Sequence, residues 1–243
     1  MKILYLFAIM LFCFLSISFG KARKEEKSAK HFSITNNTFK VLGMRQATMI
    51  LQWNDVILYV DPVGSKTLFQ SYPLPDLILI TDNSEDHFKL TTLEGLNTSK
   101  AKIVIPSSVA DNIPNEFTPQ LDLLENGDMK ERFGITIQAL PKYHSKYEGN
   151  SYVLKMNGER IYISGNVQDI KEIHSLKKID RAFISVNPSK TFTVENTVAA
   201  VLAFQPKIVY PYYSNANGSS NAQKFKTLIS GENVDIEVKL LDW

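Results

Sequence analysis

The sequence predicts an α/β fold of the α+β type, in which two mixed β-sheets pack face to face and helices lie outside them. Hairpin signals open each half of the chain, strands alternate with helices after them, and some strands are apolar throughout. A plain doubly wound sheet would alternate strand and helix along its whole length. An apolar strand needs cover on both faces, which a sandwich of two sheets with outer helices provides.

The first half of the chain contains a clear hairpin signal. Asn54-Asp55 separates the segments Thr48–Trp53 and Val56–Val60, which are therefore expected to pair. Asp61-Pro62 stops the second arm, because proline does not continue a strand ladder. The other elements expected here are strands at Phe39–Leu42, Ala47–Trp53, Leu77–Thr81 and Lys102–Ile105, and a short helix at Leu90–Leu96.

The second half contains the strongest turn signal, Asn157-Gly158, between strands Ser151–Met156 and Arg160–Ser164. A type I′ turn needs positive φ at both central residues, which asparagine and glycine tolerate. The remaining elements expected in this half are strands at Ile135–Leu140, Ala182–Val186, Lys207–Tyr210 and Ile236–Leu241, and helices at Gln168–Leu176, Val194–Phe204 and Gln223–Ile229.

The amino-terminal segment has the pattern of a secretory signal peptide. Lys2 precedes an apolar run from Ile3 to Phe14, small residues follow, and a charged run begins at Lys21. The alternative is a membrane anchor, but the apolar run is short for a span of ~20 residues. We therefore expect a signal peptide at 1–20, a flexible lead-in at 21–32 and one domain at 33–243, with export to the periplasm or the medium and no stable membrane span after cleavage.

Composition excludes several classes of site and partner. The single cysteine, Cys13, lies in the predicted signal peptide, so the mature chain has no thiolate metal ligand and no disulfide. Loss of Lys2 with that peptide would leave 26 basic against 25 acidic residues. A net charge this small gives no reason to expect nucleic acid as a partner. Oligomeric state is not readable from the sequence.

The most informative stretch runs from Asp76 to His87. An apolar strand pattern ends there in a cluster that contains Asp82, Ser84, Asp86 and His87. Aspartate and histidine are ligands for zinc, manganese or iron, and the ends of strands are where α/β proteins build their sites. Polar residues also follow other strands, namely His144, Asn166 and Tyr213. Loops are polar in general, so this pattern alone is not specific.

Several segments in a fixed order give the chain a family resemblance. It resembles the metallo-β-lactamase-fold hydrolases, most closely a bacterial branch of small metal-dependent hydrolases, from about Lys40 to Trp243. The resemblance rests on the segments Ala47–Trp53, Tyr59–Val63, Pro75–Asp82, Gly149–Leu154, Arg160–Gly165, Lys207–Tyr212 and Leu240–Trp243. It implies an αββα sandwich with two metal ions held by loops at one edge.

The family signature, His-x-His-x-Asp-His, aligns with Asp82, Ser84, Asp86 and His87, and this branch commonly has aspartate at the first position. The resemblance implies His144 as a further ligand. It also implies a bridging aspartate at position 166 and a last histidine at position 213. Asn166 and Tyr213 stand at those two positions, and Ser84 stands where the second histidine is expected.

These three replacements affect both implied metal positions. One ion would use residues 82, 84 and 144, the other residues 86, 87 and 213, with residue 166 between them. Amide and neutral phenol oxygens are weak zinc ligands compared with carboxylate and imidazole. We therefore expect hydrolysis at a two-metal centre to be lost or severely weakened. A remnant site of Asp82, Asp86, His87 and His144 would hold one zinc or manganese ion or none.

Other interpretations of these residues stay open. The first alternative is an active hydrolase for a small ester or phosphoester that uses the altered single-metal site, with Asp86 as its catalytic residue. The second alternative assigns structural roles, in which Asp86 and His87 form a hydrogen-bonded pair, Asp82 caps the following turn and His144 is a surface histidine. Tyr143 and Tyr212 are candidates to line a pocket for a small-molecule ligand or substrate.

Overall fold

Two β-sheets form the centre of the structure. The computed structural model describes residues 38–141, 148–165, 173–187, 193–212, 218–232 and 235–241. The first sheet contains, in spatial order, β1 (Phe39–Arg45), β2 (Thr48–Trp53), β3 (Val56–Val60), β4 (Leu77–Leu79), β5 (Lys102–Ile105) and β6 (Leu121–Leu123). The second sheet contains β7 (Met129–Arg132), β8 (Ile135–Pro141), β9 (Asn150–Met156), β10 (Glu159–Ile163), β11 (Arg181–Ser185), β12 (Ile208–Tyr212) and β13 (Glu237–Val238).

Both sheets follow the same plan. Strands β1 to β3 and β7 to β10 pair in antiparallel fashion. Strands β3 to β6 and β10 to β13 pair in parallel. Parallel neighbours need crossover connections, and their carboxyl ends meet at one edge of the sheet. The plan therefore gives each sheet one edge at which several loops converge.

Helices cover the outer faces of both sheets. The first sheet is accompanied by α1 (Lys66–Phe69), α2 (Leu90–Gly95), α3 (Ser107–Ala110) and a 3-10 helix at Asn115–Gln120, and the second by a 3-10 helix at Ile173–Ser175, α4 (Val194–Phe204) and α5 (Gly218–Gly231). No helix among the described residues combines the length and apolar character that a membrane crossing requires.

Alternation along the strands separates the core into three apolar layers. In β2, Leu51 points into the layer between the sheets, whereas Ile50 faces the outer helices of the first sheet. In β10, Ile163 points into the central layer and Tyr162 faces the helices of the second sheet. Successive side chains of a strand point to opposite faces, so strands buried on both faces must be apolar throughout. The predicted fold class is confirmed.

The predicted turns and most predicted strands are found. Asn157 and Gly158 have φ of 51° and 83°, as a type I′ turn requires, and β2 and β3 form the predicted hairpin. The strand predicted at Leu77–Thr81 is shorter and ends at Leu79. The N–H of Thr81 donates to the side chain of Asp61 rather than to a neighbouring strand. The strand predicted at Ile236–Leu241 shrinks to Glu237–Val238.

Other elements differ more from the sequence expectation. Of the helix predicted at Gln168–Leu176, the described part is a 3-10 turn at Ile173–Ser175. The helix predicted at Gln223–Ile229 is longer and spans Gly218–Gly231. Strands β6 and β7 were not predicted. Strand β7 has the sequence Met-Lys-Glu-Arg, in which no apolar alternation is visible. Its strand conformation comes from pairing with β8. The predicted signal peptide and lead-in, residues 1–32, lie outside the described residues.

Asp180 ties together the amino ends of three parallel strands. Its carboxylate accepts hydrogen bonds from the backbone N–H of Arg160 at 2.8 Å and from Lys207 Nζ at 2.7 Å. Partial burial raises the pKa of Asp180, but these hydrogen bonds and the positive charges of Lys207 and Arg181 outweigh burial, so its pKa lies below the usual value of 3.8.

A pH series should therefore detect the contribution of Asp180 to stability. A carboxyl whose pKa is lower in the folded chain stabilises the fold above its unfolded pKa, and this contribution disappears as the pH falls through the folded value. We expect Asp180→Asn to unfold at lower urea concentration than the unmodified protein at pH 6 to 7. The difference should shrink below pH 3.8. An identical difference at every pH would contradict the assignment.

Candidate metal centre

Asp61 is the anchor of the candidate site. It follows β3 directly, is fully buried and has a φ of 44°, which is unusual for a residue other than glycine. Its N–H donates to the carbonyl of Leu79 at 2.9 Å, and its own carbonyl accepts from the Thr48 hydroxyl at 2.7 Å. These two bonds hold the backbone in its strained conformation and turn the carboxylate toward the end of β4.

The carboxylate of Asp61 accepts three hydrogen bonds. Oδ1 accepts from the N–H of Thr81 at 2.7 Å, and Oδ2 accepts from the Thr81 hydroxyl at 2.8 Å. Oδ2 also lies 2.7 Å from Nδ1 of His87, which is 1% exposed. Three donors compensate a buried charge that would otherwise be expensive to remove from water.

This network fixes the tautomer of His87. A carboxylate only accepts, and the Thr81 hydroxyl already donates to Asp61, so the bond between His87 Nδ1 and Asp61 places a proton on Nδ1. In the neutral imidazole, Nε2 then carries a lone pair. Nε2 is buried and has no hydrogen-bond partner among the described residues. A histidine held by a carboxylate through one nitrogen, with the other nitrogen bare, has the arrangement of a metal ligand.

Asp82 and Ser84 form a closed pair beside this histidine. Oδ1 of Asp82 accepts from the backbone N–H of Ser84 at 2.7 Å and also from the Ser84 hydroxyl. The first bond is the turn-capping bond that the sequence left open as an alternative role for Asp82. The other oxygen, Oδ2, lies 3.9 Å from His87 Nδ1. Ser84 therefore contributes no imidazole and also engages one oxygen of a candidate ligand.

The described residues bring together only part of the predicted ligand set. Asp82 and His87 are both buried and adjacent, whereas Asp86 is exposed. His87 pairs with Asp61, so the sequence alternative of an Asp86–His87 pair is not the arrangement observed. Within the described ranges, no three His, Cys, Asp or Glu side chains are placed to share an ion. His144, Asn166, Tyr213 and Tyr143 lie outside those ranges.

The second sheet meets the site at two glycines. Gly149 approaches Thr81 so closely that a β-carbon there would lie 2.1 Å from the Thr81 carbonyl oxygen and 2.9 Å from Asp82 Cβ. The next residue, Asn150, donates its N–H to the same carbonyl at 2.9 Å. Gly165, at φ of +59°, would place a β-carbon 3.0 Å from Thr81 Cβ. Both contacts bring loops of the second sheet against the loop that carries His87.

Tyr212 belongs to the support of the site. Its ring is buried in the central layer, and its hydroxyl donates to the carbonyl of Gly165 at 2.7 Å. Burial raises the pKa of Tyr212 well above the usual value, with a smaller contribution from the charge of Asp61. The phenol stays protonated and acts as a donor. Its bond joins residue 212 to residue 165, the neighbours in sequence of Tyr213 and Asn166.

Sequence reasoning missed Asp61 as a site residue and treated it only as the end of a strand. A usable signal was present, because Asp61 follows an apolar strand pattern just as Asp82 does. Parallel pairing of β3 and β4 then places the two strand ends side by side. No local pattern indicates that residue 61 and residue 87 bond to each other.

Comparison with known proteins identifies the family. Residues 41–213 match the family model described as Beta-lactamase superfamily domain. The chain belongs to this family, and its fold and its site at the carboxyl ends of the strands agree with that membership.

Individual relatives describe the group more narrowly. A UPF0173 metal-dependent hydrolase of Lysinibacillus sphaericus is 26% identical over 211 residues, which cover 76% of this chain and 90% of that protein. The structure of a protein of Parabacteroides distasonis assigned as a metal-dependent hydrolase superposes with a TM-score of 0.70 at 27% identity, covering 83% of this chain and 92% of that one. Igni18, a metallo hydrolase of Ignicoccus hospitalis, superposes with a TM-score of 0.71 at 17% identity over 84% and 96% of the two chains. These relatives are described as metal-dependent hydrolases, and this chain shares their metallo-β-lactamase fold.

The family implies a metal ion, and the described residues fit part of one ion's ligand set. The bare, buried Nε2 of His87 is the clearest ligand atom, and Asp82 lies beside it. Ser84 does not fit the second position, because its hydroxyl is a donor to Asp82. In metal-dependent hydrolysis, a bound ion would lower the pKa of the water that it holds from ~16 towards ~7 and so supply a nucleophile.

The close approach of Gly149 can be tested by adding one methyl group. Gly149→Ala would force the new β-carbon against backbone atoms of Thr81, so we expect a loss of about 1 to 3 kcal/mol in unfolding free energy. Gly231→Ala is the matched control, because nothing lies within 4 Å of a β-carbon there. Urea denaturation followed by circular dichroism measures both. Equal stabilities of the two variants would show that the loop contact is loose.

Proposed function

We propose that this protein is exported and that its metal centre is reduced to one ion or none, with little or no hydrolase turnover. It acts by binding a small-molecule ligand at the site where related proteins hold their metal. The observation that carries this proposal is the closed Asp82–Ser84 pair, in which the residue at the position of an expected imidazole consumes a hydrogen-bonding site of a neighbouring ligand.

The electrostatics of the site support the same proposal. Two divalent ions bring four positive charges, whereas the expected ligand positions retain only the carboxylates of Asp82 and Asp86. Asn166, at the bridging position, adds no charge. The Asp61 carboxylate bonds to Thr81 and to Nδ1 of His87, on the side of the ring opposite to the candidate ligand atom Nε2. Too little negative charge remains to hold a pair of ions close together.

A second candidate function is hydrolysis of a small ester or phosphoester at a single ion. The observation that favours it is the bare Nε2 of His87, which the Asp61 bond keeps in the tautomer that a metal needs. Asp82, Asp86, His87 and His144 would hold that ion, zinc or manganese. Asp86 is exposed, so it would be the group that reaches substrate and moves a proton.

The metal content of the purified protein tests how many ions the site holds. We expect chelator-free protein to contain at most about one zinc or manganese ion per chain by mass spectrometry, and His87→Ala to contain none, because Nε2 is the best ligand atom. His174→Ala is the matched control, since His174 is exposed and lies on the 3-10 helix at Ile173–Ser175. Asp61→Asn should weaken binding of the ion about 10- to 100-fold through loss of tautomer control.

The triple variant Ser84→His, Asn166→Asp and Tyr213→His tests the ancestry of the site. It returns two imidazoles and a carboxylate and is expected to raise zinc content towards two per chain. Two tightly bound zinc ions in the unmodified protein would sink the proposal of a reduced centre. Unchanged metal content in the triple variant would show that positions 84, 166 and 213 were wrongly aligned with ligands.

A substrate panel decides between the two functions. We expect phosphodiester and ester substrates to show no turnover above background with zinc or manganese added to the unmodified protein. Metal-dependent turnover that His87→Ala abolishes and His174→Ala preserves would instead establish the single-ion hydrolase.

Export has its own test. The apolar run from Ile3 to Phe14, followed by small residues, is expected to direct secretion and to be removed near Gly20 to Ala22. Amino-terminal sequencing of protein recovered from the extracytoplasmic fraction of a bacterial host measures the cleavage. Intact chain beginning at Met1 and retained with the membrane would favour the anchor instead.

A further inference from the structure

A groove lies on the outer face of the second sheet, away from the candidate metal centre. It encloses about 820 Å³, and its polar lining includes Thr136, Lys155, Arg160, Lys178, Asp180 and Lys207. Arg160 stands at the start of β10, while Asp180 and Lys207 immediately precede β11 and β12. The groove is therefore at the amino ends of the parallel strands, whereas His87 and Gly165 follow the carboxyl ends of strands. We call it the basic groove.

The strand register places its charges in one row. Lys155 is the cross-strand partner of both Thr136 on β8 and Arg160 on β10. Arg160 and Asp180 exchange hydrogen bonds through their backbones and the Asp180 carboxylate, and Lys207 bonds to Asp180. Neighbouring strands lie about 4.8 Å apart, so the row from Lys155 to Lys207 extends about 14 Å.

The residues that line the basic groove carry a net positive charge. Four cationic side chains line it against one carboxylate, a net charge of +3. Asp180 already pairs with Lys207, so Lys155, Arg160 and Lys178 supply the excess. Lys155 and Arg160 also stand directly opposite each other on neighbouring strands. Like charges in that position destabilise a sheet, so the arrangement costs stability that an anion would recover.

The cations are held by the backbone around them. The Arg160 guanidinium donates to the carbonyl of Lys177. Lys178 has a φ of 55°, in the left-handed region that lysine rarely occupies. Met129, which is 67% exposed, adds apolar surface to the same groove.

We propose that the basic groove binds a polyvalent anion of the phosphate type, with Lys155, Arg160 and Lys178 in contact with it. Phosphoryl groups in tandem carry several negative charges close together, which matches three excess cations within one groove. The planar guanidinium of Arg160 donates along two parallel N–H bonds to such oxygens, and lysines add point charges. Inorganic polyphosphate and the phosphate chain of a nucleotide share this chemistry.

Calorimetric titration of the full mature chain tests the proposal. Phosphate, pyrophosphate, tripolyphosphate and ATP would be titrated at low ionic strength with EDTA present, so that metal at the other site does not contribute. We expect affinity to rise with the number of phosphoryl groups and to fall as salt is added. Tighter binding of ATP than of tripolyphosphate would assign a nucleotide, because the exposed Met129 would then contact the base. The reverse order would assign an inorganic chain.

Paired double variants provide the control. Lys155→Ala with Lys178→Ala should weaken tripolyphosphate binding at least about tenfold, because it removes two of the three excess cations. Lys66→Ala with Lys100→Ala removes the same charge from exposed positions elsewhere and should change binding less than about twofold. Thermal melts confirm that all variants fold. Absence of saturable binding of both tripolyphosphate and ATP, or equal weakening by the two double variants, would overturn the proposal.

Discussion

The buried carboxylate of Asp61 is the interaction on which the site depends. It joins the ends of two neighbouring parallel strands, because it bonds both the backbone and the hydroxyl of Thr81 and orients His87 in the same network. A buried carboxylate is tolerated only when its hydrogen bonds are complete. The fold therefore fixes the position and tautomer of His87 before any ligand is present. The left-handed backbone at Asp61 is the local cost of this arrangement.

The two sides of the candidate centre differ in their hydrogen bonding. His87 has the environment of a metal ligand, because one nitrogen bonds to Asp61 and the other has no hydrogen-bond partner within the part of the chain that the structure describes. On the other side, Ser84 turns its amide and hydroxyl onto Asp82, which converts a ligand position into a capped turn. The scaffold that brings these loops together is intact, as the contacts of Gly149 and Gly165 with Thr81 demonstrate. The contacts between the loops therefore form with serine rather than histidine at position 84.

Local signals predicted the elements that depend on local physics. Asn157-Gly158 defines its turn through backbone preference, and the apolar runs of β4 and β5 require cover wherever they occur. Strand β7 has no such signal. It forms because its backbone pairs with β8. Asp82, Ser84 and His87 were identifiable because they are close in sequence. The bond between Asp61 and His87 was not predictable in this way, because the two residues are 26 positions apart.

The sequence by itself determined the fold class, the paired plan of hairpins followed by crossovers, and the residue types available at the carboxyl ends of the strands. These follow from periodicity, turn chemistry and composition, which act over a few residues. Tertiary structure alone decided which nitrogen of His87 bonds to Asp61, which oxygen of Asp82 bonds to Ser84 and which cations share a groove at the opposite ends of the strands. Hydrogen bonds and burial between residues distant in sequence set those outcomes, and no local pattern encodes them.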